Sequence, residues 1–127
     1  MAKKNKQQLP FDSRGGKIVI SRFMRNYYAY SSMSPPAKVL MDLLHEQWRN
    51  DRPVAYGVRE AANKVHCSKD TASNAFRMLR ERGFITCTDE SLFNSKTGSK
   101  TREWRLTWLP FNSKPPTHEW EKWQPKN

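Results

Sequence analysis

The chain is short of cysteine, of acidic residues and of long apolar runs, and each shortage removes a class of protein. It has only two cysteines, Cys67 and Cys87, with no Cys-x-x-Cys pair and no histidine spaced to complete a ligand set. That excludes a disulfide-stapled secreted domain and a zinc site, so both thiols read as small reduced residues near a core, and no metal or cofactor is expected. No apolar run approaches the roughly 18–20 residues that cross a bilayer, and the opening MAKKNKQQLPFDSRGGK lacks a signal peptide's apolar segment. A cytoplasmic protein with no membrane contact is expected. No carboxylate pair, nucleophile beside a base or glycine-rich phosphate loop stands out, so the chain does not read as an enzyme. Tyr27, Tyr28 and Tyr30 could suggest a DNA-nicking phenol, but that chemistry usually needs a metal-binding His pair and no His-x-His occurs. They read as core residues.

What is abundant is positive charge. Among 127 residues, 23 Lys and Arg face 12 Asp and Glu, a formal net charge of +11, which biases the protein toward polyanions. Residues 1–22 carry six basic side chains against one acidic, and residues 56–82 carry six against three. The excess therefore sits on a leading arm and on one internal stretch.

That internal stretch, residues 57–84, reads GVREAANKVHCSKDTASNAFRMLRERGF. Val58, Ala61, Ala62 and Val65 fall at the i, i+3, i+4, i+7 spacing of a helix face. His66 and Cys67 interrupt the pattern, and Ser68 offers an N-cap hydroxyl to a second helix, expected over residues 69–82. Ala72, Ala75, Phe76 and Leu79 repeat the spacing there, and Gly83 supplies a left-handed terminator. Two short helices joined by about three residues have the form of a helix-turn-helix. The alanines suit a close helix crossing, although a helical hairpin without a ligand would use them equally.

With the apolar set inward, steps of about 100° per residue turn Asp70, Asn74 and Arg77 outward and leave Lys69 and Ser73 on the flank. Arg can donate two hydrogen bonds to guanine, Asn can pair in two-point fashion with adenine, and an Asp can accept from cytosine. Asn74, Arg77, Ser73 and Asp70 are thus the candidates for reading bases, with helix support as the other role open to Asp70. Ser68, Lys69 and Thr71 sit where a helix start meets phosphate oxygens. A plain solvated helix face remains the alternative for each.

Beyond Gly83 the period changes to two. Residues 84–88, FITCT, and residues 102–108, REWRLTW, read as strands, the second with Trp104, Leu106 and Trp108 inward and charged or polar residues outward. The polar stretch 89–101 between them makes a hairpin with a basic tip, whose Lys96, Lys100 and Arg102 could meet the DNA backbone or a narrow groove. A solvated loop that guards a strand edge is the competing reading.

With these residues the chain resembles the winged helix-turn-helix proteins of bacterial repressors and of bacteriophage or plasmid replication and regulatory genes. CSKDTASNAFRMLRERGFI carries the resemblance, with Ser68, Thr71, Ala72, Phe76, Leu79, Gly83, Phe84 and Ile85 at the family's cap, helix core, turn glycine and first wing strand. The strand EWRLT, residues 103–107, is similar to one that closes the hairpin in a small-protein subgroup. The likeness spans roughly residues 34–108, and it departs at the 89–101 loop, which is longer than a minimal wing and carries Asp89 and Glu90. It implies an α+β winged helix-turn-helix fold, with helix 69–82 in the major groove, hairpin 84–108 as the wing and a homodimer matched to a palindromic site.

The flanks complete an expected organisation of a basic arm over residues 1–16, a winged-helix domain over 17–109 and a Trp- and Pro-rich tail over 110–127. Lys3, Lys4, Lys6 and Arg14 of the arm are candidate minor-groove contacts, or else the arm is a solubility tail. A short strand over 17–21 and a short helix over 22–30 should follow. Ser34 and Pro35 should open the longest helix, with Val39, Leu40, Leu43, Leu44 and Trp48 as its apolar stripe down to about Asn50. Residues 53–56 should form a small strand that pairs with the hairpin. In the tail, Thr117 could cap a helical segment to Trp123, placing Trp120 and Trp123 on one face to dock on their own domain or on a second copy. The function expected is that of a double-stranded-DNA-binding transcriptional regulator, most simply a repressor. The alternatives are a replication-origin binder, or an adaptor or inhibitor of mobile-element origin that uses the same scaffold on a protein partner.

Overall fold

Alanine-lined helices and a tryptophan-bearing strand build the centre of the molecule. The computed structural model describes residues 9–89, 93–94, 99–100 and 102–126. Among them are five helices, α1 (Arg22–Asn26), α2 (Tyr28–Ser31), α3 (Pro35–Glu46), α4 (Val58–Val65) and α5 (Lys69–Glu81), and a short 3-10 turn at Glu119–Lys122. Strands β1 (Val54–Ala55), β2 (Ile85–Asp89) and β5 (Glu103–Leu106) form one antiparallel sheet in the order β1-β5-β2, giving an α+β fold. The segment between β2 and β5, expected as plain loop, also carries a two-stranded ladder of β3 (Phe93–Asn94) and β4 (Ser99–Lys100).

Each main helix follows from its residues. Pro35 stands in the first turn of α3, where its missing N–H costs nothing. The Ser34 side chain makes no cap bond there; its hydroxyl lies 3.8 Å from the Met78 sulfur instead. The buried face of α3 is Ala37, Leu40, Met41 and Leu44, and the expected Val39 is 43% exposed, so the stripe is turned by about a residue from the one anticipated. The helix also stops at Glu46, short of Asn50, because the chain turns to let the Trp48 indole donate to the Pro110 carbonyl at 3.0 Å. Helix α4 ends at His66 in the left-handed region at φ 62, and the Ser68 hydroxyl then caps α5 by accepting the Thr71 N–H at 3.1 Å. Helices α4 and α5 pack on each other, and Ala61 and Ala62 of the first and Ala72 and Ala75 of the second are all buried. Helix α5 ends at Glu81 with Arg82 as its cap.

In the sheet, Val54 pairs with Trp104 on one side of β5, and Cys87 pairs with Trp104 on the other. Trp104, Leu106 and Trp108 are buried as the period-two pattern requires. Thr107 is not outward but fully buried, because the strand ends at Leu106 and the Thr107 hydroxyl donates to the Gly83 carbonyl at 2.6 Å.

Three expectations fail in the flanking segments. Residues 17–20 form no strand, lacking a ladder partner among the described residues, while Ser21 caps α1 by accepting the Met24 N–H. The expected single helix over 22–30 is broken at Tyr27, whose extended backbone (ψ 140) lets its hydroxyl donate to the Glu121 carbonyl at 3.0 Å and its ring meet Trp120 edge-on at 5.0 Å. The tail segment is a 3-10 turn rather than an α-helix, and Thr117 does not cap it, because His118 adopts a left-handed conformation at φ 49.

Trp120 belongs to the core. It is 2% exposed and stacks on Phe84 at 5.9 Å with the planes 8° apart, and its indole N–H donates to His118 Nδ1. The backbone makes room at Gly83, which has φ +84 and where a Cβ would lie 2.8 Å from the Glu119 carbonyl carbon. Beside it Arg82 donates to Ala29 O at 2.8 Å and Ser32 Oγ at 2.7 Å while its guanidinium lies 4.3 Å from the Trp123 ring centre.

Gly83→Ala is therefore expected to cost about 2–4 kcal/mol in urea denaturation followed by tryptophan fluorescence, from left-handed strain and from displacement of the Glu119–Trp120 backbone. A second prediction concerns pH. Burial lowers the His45 pKa below the ordinary 6.5, and its Nδ1 accepts the Trp108 indole N–H at 3.3 Å, which only a neutral ring can do. A depressed pKa means that the unfolded chain takes the proton first, so this contribution is whole above the ordinary value and is lost as pH falls below it. Asp42 on the same helix acts oppositely in the carboxylate range, since burial and then Glu46 raise its pKa against the counter-effect of Arg25. The denaturation midpoint should fall from about pH 7.5 to about pH 5.5, and His45→Gln should flatten that fall.

Candidate nucleic-acid interface

Helix α5 spends its inner face on the core, with Ala72, Ala75, Phe76 and Leu79 buried, and this decides what its other face offers. Lys69, Asp70, Asn74 and Arg77 are exposed, while Ser73 and Thr71 are half-buried. The start of the helix is closed on itself: the Ser68 hydroxyl accepts the Thr71 N–H and donates to Thr71 Oγ1 at 3.0 Å. Ser68 is thus first a folding residue. Asp70 lies in the first turn, where its carboxylate complements the positive end of the helix dipole.

Asn74 and Arg77 are joined. Arg77 Nη1 donates to Asn74 Oδ1 at 3.1 Å, so the residues three apart on the outer face present one combined surface. The Asn74 amide N–H groups and most of the five N–H donors of Arg77 remain available outward.

Arg77 also lines a surface groove of about 360 Å³ between α5, the start of α4 and the strand β5. Ser73, Arg77 and Arg80 approach it from α5 at i, i+4 and i+7, and Arg102 approaches from the residue that precedes β5. Its floor is aromatic. Phe76 and Trp104 stack at 5.4 Å with planes 20° apart, and the Trp104 indole N–H donates to the carbonyl of Tyr56, another buried lining residue. A floor that excludes water lowers the local dielectric, which strengthens the attraction of the rim cations for an anion.

Ser73, Arg77 and Arg102 are thus brought together, with Asn74 attached through Arg77. Arg80 was missed in the sequence; its i, i+7 relation to Ser73 was the available signal. Lys69 and Asp70 stay near the helix start. Lys96 lies outside the described residues, as do Lys3, Lys4 and Lys6, and of Lys100 only the backbone, within β4, is described. Arg14 is exposed and its guanidinium holds the Asp12 carboxylate at 2.6 Å, which lowers the Asp12 pKa. Trp120 and Trp123 lie away from the groove, against Phe84 and Arg82.

Cys67 and Cys87 are free and half-buried. No group of three or more His, Cys, Asp or Glu that could hold a metal ion occurs among the described residues, and no helix among them is long and apolar enough to cross a membrane. A scan against protein-family models, a search of curated proteins and a search of solved structures each found no match.

Ser68→Ala removes a cap bond that the fold uses, and it should lower stability by about 1 kcal/mol in urea denaturation. A loss of DNA affinity with no loss of stability would instead make the hydroxyl a pure contact residue.

Proposed function

We propose that this chain is a duplex-DNA-binding regulator of the winged helix-turn-helix type, most simply a repressor, with α4 and α5 as the helix pair and the β2–β5 hairpin as its wing. The observation that carries the reading is the outer face of α5. A 13-residue helix, about 20 Å long, turns the joined Asn74–Arg77 pair to solvent beside a groove that also receives Arg102 from the hairpin. A helix of this width enters a major groove about 12 Å across, where Asn and Arg are the side chains suited to adenine and guanine edges.

The rest of the molecule supports this use. The alanine-lined face packs α5 closely on the body and leaves its polar face to solvent, the antiparallel set β1-β5-β2 sets the hairpin beside it, and the +11 charge supplies sequence-independent attraction to phosphate. In this reading Asn74 and Arg77 read bases, with Ser73 and Asp70 at the edge of the readout. Lys69, Thr71, Arg102 and the hairpin lysines Lys96 and Lys100 hold the backbone.

An adaptor role is favoured by a different observation: Val19, Phe23 and Tyr28 are each at least 60% exposed. Large apolar side chains so open suit a protein partner.

The deciding experiment is a titration against a random duplex and against the chain's own promoter region, each at two salt concentrations. A regulator should prefer the promoter by at least about a thousandfold, whereas an adaptor should bind both weakly and with steep salt dependence. Arg77→Ala should relax base preference at one position by about 1–3 kcal/mol. Equal losses on every sequence would remove Arg77 from the readout.

A further inference from the structure

Helices α1 and α2 turn large apolar side chains outward with no burial to account for them. Phe23 and Tyr28 are each at least 60% exposed, as is Val19 just ahead of the α1 cap. Single apolar residues are ordinary on a surface, but these rings belong to one aromatic assembly. Phe23 lies 5.6 Å from the Tyr27 ring and 6.0 Å from Trp120, Tyr27 meets Trp120 edge-on, and further along the tail Trp123 stacks on Tyr28 at 6.2 Å with the planes 19° apart. Tyr27 and Trp123 are half-buried and Trp120 is buried, so the outer rings are propped on a wall anchored in the core. Little side-chain freedom is left for a partner to remove. None of these residues lines the groove beside Arg77.

The charges around this face select what fits it. Residues 13–41 hold Arg14, Lys17, Arg22, Arg25 and Lys38 and not one Asp or Glu. Arg22 and Arg25 stand beside Phe23 on α1, both exposed; neither makes a hydrogen bond or ion pair with another described residue, although the Arg25 charge reaches Asp42 on α3. The tail side carries carboxylates. Glu121, whose carbonyl holds the Tyr27 hydroxyl, is exposed, and Glu119 pairs with Lys122 at 3.3 Å. A nucleic-acid strand, negative along its whole length, would gain at α1 and lose against Glu121. A bilayer surface needs a long amphipathic helix, and α1 and α2 are 5 and 4 residues long. Aromatic and arginine side chains on a preformed face are instead the composition of a protein contact.

We infer that the face formed by α1, α2 and the tail turn docks an acidic protein segment with an apolar anchor. Its carboxylates meet Arg22 and Arg25, and the anchor packs on Phe23 and Tyr28. The inference rests on the adaptor reading, to which it gives a face and a partner chemistry, and it is compatible with a duplex held on α5.

The test pans a random-peptide display library with the unaltered full chain, then measures the enriched sequences as labelled synthetic peptides by fluorescence anisotropy against Phe23→Ser, Tyr28→Ser and Arg22→Glu. Enriched sequences should combine Asp or Glu with Leu, Phe or Trp, and each variant should bind them at least about tenfold more weakly. Exchanging their carboxylates for Lys should abolish binding to the unaltered chain and restore part of it with Arg22→Glu. The three replaced side chains are exposed, so thermal midpoints should change little, and Arg22→Glu leaves the aromatic packing untouched. Oligo-dT and phosphatidylserine vesicles are run as competing probes.

Peptides that depend on Phe23 but carry no acidic residue overturn the acidic partner and leave the adaptor reading standing. If no peptide is enriched, or if the enriched ones bind all three variants as they bind the unaltered chain, both are overturned. Binding of oligo-dT or of vesicles that Phe23→Ser abolishes assigns the face to another class of partner and also overturns the inference.

Discussion

The close backbone contact at Gly83 is the constraint on which the arrangement of the other elements depends. Glu119 and Trp120 come so near that no side chain fits between them and residue 83. Because they do, Trp120 lies flat on Phe84, the Thr107 hydroxyl reaches the Gly83 carbonyl, and the His118 N–H donates to the Thr107 carbonyl at 2.9 Å. The end of α5, the start of β2, the end of β5 and the tail are thus tied at one point. Arg82 extends the junction to α2 and Trp123, with burial lowering its pKa against the favourable charge of its neighbours. The junction thus joins the end of α5 to the hairpin, and it is made by other side chains than those proposed to meet DNA.

Along the second half of the same helix, packing decides chemistry. The stacked Phe76 and Trp104 bring α5 and β5 together, and their burial leaves the polar edge of α5, the residue before β5 and the start of α4 at the rim. Arg77 and Arg102 are separated by 25 positions in sequence, yet they share one groove because the aromatic pair beneath them is a single packed unit. Arg102 and Trp104, two residues apart, lie toward the same groove, the ring as its floor and the cation, ahead of the strand, at its rim, while the helix period separates the buried Phe76 from the exposed Arg77.

The charge total overstates the surface available to a polyanion. Arg82 is spent on Ala29, Ser32 and Trp123, Arg105 lies over the Phe111 ring at 5.3 Å with its Nε buried, and Arg14 holds Asp12. These basic residues serve the fold or neighbouring side chains. Arg77 and Arg102 at the α5 and β5 groove are a smaller and better defined set, and the proposed function rests on the Asn74–Arg77 face beside them rather than on the net charge.

Local rules made the helix pair legible from the amino-acid order: apolar spacing placed α4 and α5, the hydroxyl of Ser68 marked the cap, Gly83 marked the helix end, and alternation placed Trp104 and Leu106 in a strand with β1 beside it. Each depends on neighbours within a few residues, so a linear reading captures it. The break at Tyr27, the burial of Thr107 and Trp120, the rotation of the α3 face away from Val39 and the meeting of Arg77 with Arg102 were decided only by the tertiary structure. Tyr27 illustrates the reason, since its partner is the carbonyl of Glu121, 94 positions away. No periodicity carries information about which distant backbone groups will meet, because that pairing is chosen by how whole elements fill space around a shared core.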